Sequence, residues 1–228
     1  MLRHAERDGY TMQLHVFDPQ AGYKVVERRL PHWSQAGTIA FITWRTWDSM
    51  PQAVVRAWLA EQDSLRRARG IREGAPDWIE RLRRHNPQLA RDAQLFVSDR
   101  WHVHLDECHG ECVLRQIELA GIVAESLLHF DGSRYDLTDF VVMPNHVHVF
   151  AAFPDDDAML AQCESWKHFT AAKINLALRR TGRFWQQDGF DHLVRSVEQF
   201  ERQRRYIAEN SVLARLRPGE YIHYSKPV

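Results

Sequence analysis

The chain is short of the features that mark several large functional classes. Only three cysteines, Cys108, Cys112 and Cys163, occur among 228 residues. They are too few, and odd in number, for a disulfide framework. No apolar run approaches the ~18 residues that span a bilayer. The charged stretch Met1–Asp8 has none of the apolar centre of a secretory signal. The expectation is a reduced, cytoplasmic protein with no membrane partner. Neither an internal repeat nor a low-complexity tract is present. Net charge is missing too: 30 Lys and Arg offset 30 Asp and Glu, which argues against coating nucleic acid or a membrane by bulk positive charge. The offset is uneven, however. Residues 101–160 carry 11 acidic and 2 basic side chains, whereas 161–228 carry 12 basic and 7 acidic. Histidine, by contrast, is plentiful at 13 residues, and that directs attention to metal or phosphate chemistry.

Length and 44% hydrophobic content suffice for one domain with a real core. Residues 1–35 read as an N-terminal arm, 36–216 as the domain and 217–228 as a C-terminal tail. Thr38–Thr46 is rich in β-branched and aromatic residues and predicts a strand. A helix follows, starting near Asp48-Ser-Met-Pro51, with Val54, Val55, Trp58, Leu59, Gln62 and Leu65 at helical spacing. Residues 70–105, broken by Gly74, Pro76 and Pro87, read as an insertion with a short helix near Trp78–Arg84. Cys112–Phe130 is helical in period. Two strands, Tyr135–Met143 and His146–Phe153, flank Pro144-Asn145. A helix over 157–180, an extended piece over Phe190–Arg195 and a last helix over Ser196–Glu209 complete the series. The expected class is α+β, with helices packed on an antiparallel sheet in a ferredoxin-like or RRM-like manner.

The chemistry concentrates in Phe140-Val-Val-Met-Pro-Asn-His-Val-His-Val-Phe150. Strand side chains alternate faces, so His146, His148 and Phe150 share one face. Two imidazoles so spaced can bind one cation, and they can equally be satisfied histidines on a sheet face. His102 and His104 form a second such pair. On the last helix, Gln199, Gln203, Tyr206 and Asn210 fall on one polar stripe, beside a packing stripe of Val197, Phe200 and Ile207. Tyr206 and Asn210, four apart, project together.

Val142-Met-Pro-Asn-His-Val-His-Val149 resembles the His-hydrophobic-His signature of the single-tyrosine HUH transposases of small bacterial insertion sequences. Phe184-Trp-Gln-Gln-Asp-Gly-Phe-Asp-His192, followed by Arg204-Arg-Tyr-Ile-Ala-Glu-Asn210, is similar to their REP-associated tyrosine transposase branch. The likeness runs from about Leu30 to Leu216 and includes Arg29-Leu-Pro-His-Trp33 and His109-Gly-Glu-Cys112. It implies His146, His148 and Asn210 as ligands of Mg²⁺ or Mn²⁺, and Tyr206 as a nucleophile forming a 5′-phosphotyrosine. The implied partner is single-stranded or hairpin DNA in a bacterial cytoplasm, at the nucleoid, with no obligatory protein partner. Where the family often has Asn-Pro, this chain has Asn210-Ser211.

Arg179, Arg180, Arg183, Arg195, Arg202, Arg204, Arg205, Arg215 and Arg217 crowd the tyrosine in sequence. Arg183, Arg195, Arg204 and Arg205 are candidates for phosphate contact, and Trp185 for stacking on an unpaired base. The same side chains also suit solvated helix faces and a core tryptophan. Two rivals remain. One is a structural zinc held among His102, His104, Cys108, His109 and Cys112, whose spacing fits no standard finger. The other is a domesticated, non-cleaving hairpin binder.

A chain of zero net charge is expected to hold random duplex DNA weakly. Filter binding at moderate salt should retain little random duplex and distinctly more of a hairpin-bearing single strand.

Overall fold

A computed structural model of the protein describes residues 15–27, 31–50, seven positions between 53 and 67, 105–187 and 189–227. The expected short helix near Trp78–Arg84, together with His102 and His104, lies outside the described residues. Two short strands, β1 (Lys24–Glu27) and β2 (Pro31–Ser34), pair antiparallel as a separate sheet. They fall in the stretch read from sequence as an arm. The described positions between 53 and 67 are helical.

The main elements follow in the order β3 (Ile39–Arg45), α1 (Ile117–Leu128), β4 (Asp136–Val142), β5 (His146–Ala152), α2 (Asp156–Ala177), β6 (Phe190–Leu193), α3 (Val197–Leu213) and β7 (Ile222–Ser225). They form a five-stranded sheet of order β6-β3-β5-β4-β7 with every neighbouring pair antiparallel. The first four positions are those of a βαββαβ unit, in which each helical crossover skips one strand. The expected α+β class and ferredoxin-like sheet are thus observed. β7 is an addition on the β4 edge, in the stretch read as a tail, and Tyr224 stacks on Phe140 with ring centroids 5.2 Å apart. Four residues flanked by Pro218-Gly219 carry too little alternation to announce a strand. Among the described residues no helix is long and apolar enough to cross a membrane.

Both faces of this sheet are covered, which is why β3 and β5 are buried at every position. Ala40, Ile42 and Trp44 of β3, with Val147, Val149 and Ala151 of β5, pack under α1 and α2. Helix α1 contributes Leu119, Ala120, Val123 and Leu127, the 3.6-residue stripe seen in the sequence. Helix α2 starts where the side chain of Asp155 accepts from the Asp157 and Ala158 amides. Phe41, Val141 and Phe150 face the other way and meet Phe200 and Ile207 of α3.

An irregularity in β4 makes this second face polar as well as apolar. Leu137 pairs with Ala151 but Asp139 pairs with Phe150, so Thr138 is an extra residue in the strand. Leu137 and Phe140, three apart, therefore share the α1–α2 core, and Asp139 turns onto the α3 face. There its carboxylate, 1% exposed, accepts from Arg204 Nε at 2.8 Å and from Ser225 Oγ at 2.6 Å. Arg204 also donates to Ser225 Oγ and to the Lys226 carbonyl. One guanidinium thus ties α3 to both β4 and β7.

Helix α3 begins at its Ser196 cap and runs to Leu213, four residues beyond the expected Glu209. Ser211 retains the backbone N–H that a proline would lack, so the helix continues and Asn210 lies within it. Val197, expected on the packing stripe, is 63% exposed at the first turn.

Truncating Arg204 leaves the Asp139 carboxylate buried without its cation. Arg204→Ala is expected to lower unfolding free energy by about 3 kcal/mol. Urea denaturation should show a reduced midpoint at unchanged slope.

Candidate functional site

Alternation along β5 puts His146 and His148 on the α3 face with Phe150, and all three side chains are buried. Helix α3 runs alongside in the opposite sense. Phe200 meets Phe150 at 5.1 Å between ring centroids, and Tyr206 meets His148 edge-on at 5.4 Å. One further turn advances a helix by about 6 Å, and two residues advance a strand by a similar amount. Asn210 is accordingly level with His146. The four residues singled out in the sequence therefore lie along the same stretch of the sheet–helix contact, with Tyr206 half-buried and the other three buried.

Each imidazole is fixed from behind. Asn145 donates from Nδ2 to the His109 carbonyl at 3.1 Å, and its Oδ1 lies 2.8 Å from His146 Nδ1. With its nitrogen committed to a carbonyl, the Asn145 oxygen must accept. His146 therefore carries its proton on Nδ1 and its lone pair on Nε2. His148 Nδ1 is 2.7 Å from Thr43 Oγ1, directly across the β3–β5 ladder. His148 also stacks on Phe41, with centroids 5.3 Å apart, and meets His146 edge-on at 4.6 Å. Any further bond that either ring makes from these positions is made through Nε2. A close backbone approach supports the same strand, since a Cβ on Gly189 would stand 2.9 Å from the Thr43 carbonyl oxygen.

The residue that sequence reading missed is Asp106. Its Oδ1 accepts from Asn210 Nδ2 at 2.9 Å, and its two oxygens lie 3.2 and 3.3 Å from the Tyr206 hydroxyl. Burial pushes the Asp106 carboxyl up to about 6, against the opposing pull of those two hydrogen bonds. Burial, followed by the neighbouring Asp106 charge, raises Tyr206 above the ordinary phenol range. Asp106 ends a helical stretch and leads into a loop that the rest of the fold clamps. Leu105 is fully buried, and the Asp48 carboxylate accepts from the Glu111 amide at 2.7 Å. Gly110, at φ +95°, has no room for a Cβ, which would stand 2.8 Å from the Asp48 carbonyl oxygen. No local pattern marks an aspartate that lies 100 residues from the tyrosine it meets. The acidic excess over 101–160 is the only sequence signal near it.

Two imidazoles and an amide oxygen make a donor set suited to a divalent cation. Asn210 Oδ1 is buried and has no hydrogen-bond partner among the described residues. That is the state of a carbonyl oxygen able to take a further ligand. Among the described residues no three His, Cys, Asp or Glu side chains gather as a metal group. Cys108, His109 and Cys112 thus do not form one. His109 instead pairs with Glu107 at 2.8 Å, and Cys112 Sγ donates to the Cys108 carbonyl.

The candidate DNA-contacting residues separate. Arg183, Arg195 and Arg205 are exposed. Arg204 is the clamp on Asp139. Trp185 is 4% exposed, donates from Nε1 to Thr170 Oγ1 at 2.9 Å and packs against Trp44 and Phe184. That burial leaves no ring face for a base, so Trp185 is a core residue. Among the described residues the exposed tryptophan is Trp47, 41% exposed, with the Arg183 guanidinium 4.4 Å from its ring centroid.

No protein-family model matches the chain, and no curated protein matches it either. Among solved structures, a REP-associated tyrosine transposase bound to a REP hairpin aligns with a TM-score of 0.39 at 13% identity. The alignment covers 78% of this chain and 68% of that one. The fold and site described above stand on this chain's own sheet order and side chains.

Trp185→Ala is expected to destabilise the fold by about 3–5 kcal/mol, through a core cavity. Denaturant titration measures that loss. Trp185→Phe, which keeps most of the packing, should recover most of that loss.

Proposed function

We propose that the protein cleaves and rejoins single-stranded DNA beside a hairpin, through a 5′-phosphotyrosine on Tyr206. The observation that carries this reading is Tyr206 against His148, with His146 beside that ring and Asn210 joined to Tyr206 through Asp106. The DNA class comes from the motif likeness seen in the sequence.

His146 Nε2, His148 Nε2 and Asn210 Oδ1 would hold Mg²⁺ or Mn²⁺. Such a cation polarises a non-bridging phosphate oxygen and offsets charge that develops in an in-line displacement. The residues do the rest. Tyr206 Oη attacks phosphorus as its O–H bond breaks, and the bond from phosphorus to the 3′ oxygen breaks in turn. The upstream strand leaves with a 3′-hydroxyl after gaining a proton, and the downstream strand stays on Tyr206 through its 5′ phosphate. Attack by a 3′-hydroxyl on that ester reverses the step and joins strands without a nucleotide cofactor. A buried phenol is neutral at pH 7 and must lose its proton during attack. The Asp106 carboxylate, at 3.2 Å, is within reach to accept it. Asn145 and Thr43 hold the imidazoles in place while this happens.

Single-stranded DNA with a hairpin, labelled at its 3′ end, is incubated with protein and Mn²⁺ and run on a denaturing gel. A slow protein–DNA adduct is expected from the native chain, with at least a thousandfold less from Tyr206→Phe. Tight retention of the hairpin with no adduct would instead identify a non-cleaving hairpin binder.

A further inference from the structure

We propose that Asp106 is a positioning residue for the cation site, because it dictates which end of the Asn210 amide faces the imidazoles. This rests on the reading of His146, His148 and Asn210 as a cation site. The two ends of a carboxamide have nearly the same size and shape, so packing alone does not choose between them. Hydrogen bonding must choose, and here it does. A carboxylate only accepts, and Asp106 Oδ1 stands 2.9 Å from Asn210 Nδ2. The amide nitrogen is thereby turned towards Asp106 and the oxygen away from it. That oxygen is buried and without a hydrogen-bond partner among the described residues. Reversed, the amide would present two N–H donors to a cation and repel it.

The same carboxylate reaches the Tyr206 hydroxyl. One side chain thus sets the ligand and the attacking oxygen together, and it belongs to none of the elements that carry them. Asp106 is the last helical residue before the loop that precedes α1, while Tyr206 and Asn210 lie on α3 and the histidines on β5. The loop has its own supports. The Cys108 amide donates to the Leu105 carbonyl at 3.0 Å, and the Leu114 amide donates to the Pro144 carbonyl at 3.2 Å. His109, three residues on, offers its carbonyl to Asn145, which orients His146. The short segment from Asp106 to His109 therefore orients two of the three ligands through their hydrogen-bonding ends.

The test is a Mn²⁺ titration of the full chain without DNA, followed by the electron paramagnetic resonance signal of the free ion. Asp106→Ala is expected to weaken Mn²⁺ binding ten- to a hundredfold, the usual cost of losing a ligand's orienting partner. Asn210→Asp then isolates orientation from other causes, because a carboxylate presents oxygen whichever way it turns. In the Asn210→Asp background, Asp106→Ala should cost nothing or improve binding. If Asp106 were itself a ligand or merely held the fold, the loss would persist in both backgrounds, and that result overturns the proposal. Thermal melts report whether each variant folds. Asp106→Asn, which keeps the volume and one acceptor oxygen, should lose less than Asp106→Ala and is cycled in its place if the alanine variant does not fold. A native chain that binds Mn²⁺, loses it on His146→Ala and keeps it on Asp106→Ala sinks the positioning role alone. A native chain that binds no Mn²⁺ at millimolar concentration sinks the cation site as well.

Discussion

The pairing of Asp139 with Arg204 is the contact on which the arrangement of the site depends. His146 and His148 belong to a sheet strand, and Tyr206 and Asn210 to a helix that is not part of the βαββαβ core. Something must fix the translation and rotation of that helix against the sheet. Phe200 and Ile207 supply apolar contact, but contact of this kind is non-directional and tolerates sliding. A guanidinium hydrogen-bonded to a buried carboxylate is directional, and its partners lie on two different strands. Arg204 is two residues from Tyr206, so little slack separates the clamp from the Tyr206 hydroxyl.

That clamp exists because β4 carries an extra residue at Thr138. In a regular strand, Leu137 and Phe140 would point to opposite faces, and either a leucine would sit in the polar cleft or an aspartate in the apolar core. The bulge resolves both conflicts. Burial of a carboxylate, which by itself opposes folding, thus becomes a directional anchor once the backbone irregularity turns it towards Arg204.

The legible part of the molecule was the part whose signals are local. Alternation in β5 announced that His146 and His148 share a face, and four-residue spacing on α3 announced that Tyr206 and Asn210 do. Composition marked β3, and the apolar stripe marked α1. What stayed hidden depends on distant partners. Asp106 looks like any other acidic residue in an acidic stretch, because its meaning comes from a helix 100 positions away. Trp185 and Trp47 are equivalent as letters, and only burial makes the first a core residue and the second an open one. Arg204 read as a phosphate contact because basic residues near a tyrosine invite that reading. Its actual partner, Asp139, is 65 positions distant. β7 is four residues long and amphipathic only in outline, so its edge pairing with β4 is a tertiary fact.

The uneven charge along the chain takes on a physical meaning from these contacts. A strongly acidic segment beside the candidate site would oppose the approach of a polyanion. Its members do different work, however. Asp139 is consumed internally by Arg204, Asp131 accepts from Lys226, and Asp155 caps α2. Glu111 takes up Arg180. Asp106 turns its carboxylate towards an amide and a phenol. Of the eleven acidic side chains in 101–160, Glu111, Asp131 and Asp139 are thus paired with cations from the basic 161–228 segment. On the proposed function, an attractive potential for DNA would come from exposed arginines with no ion pair among the described residues, such as Arg183 and Arg205. A neutral chain can accept a nucleic acid strand on these terms, because local geometry and not total charge decides what the strand meets.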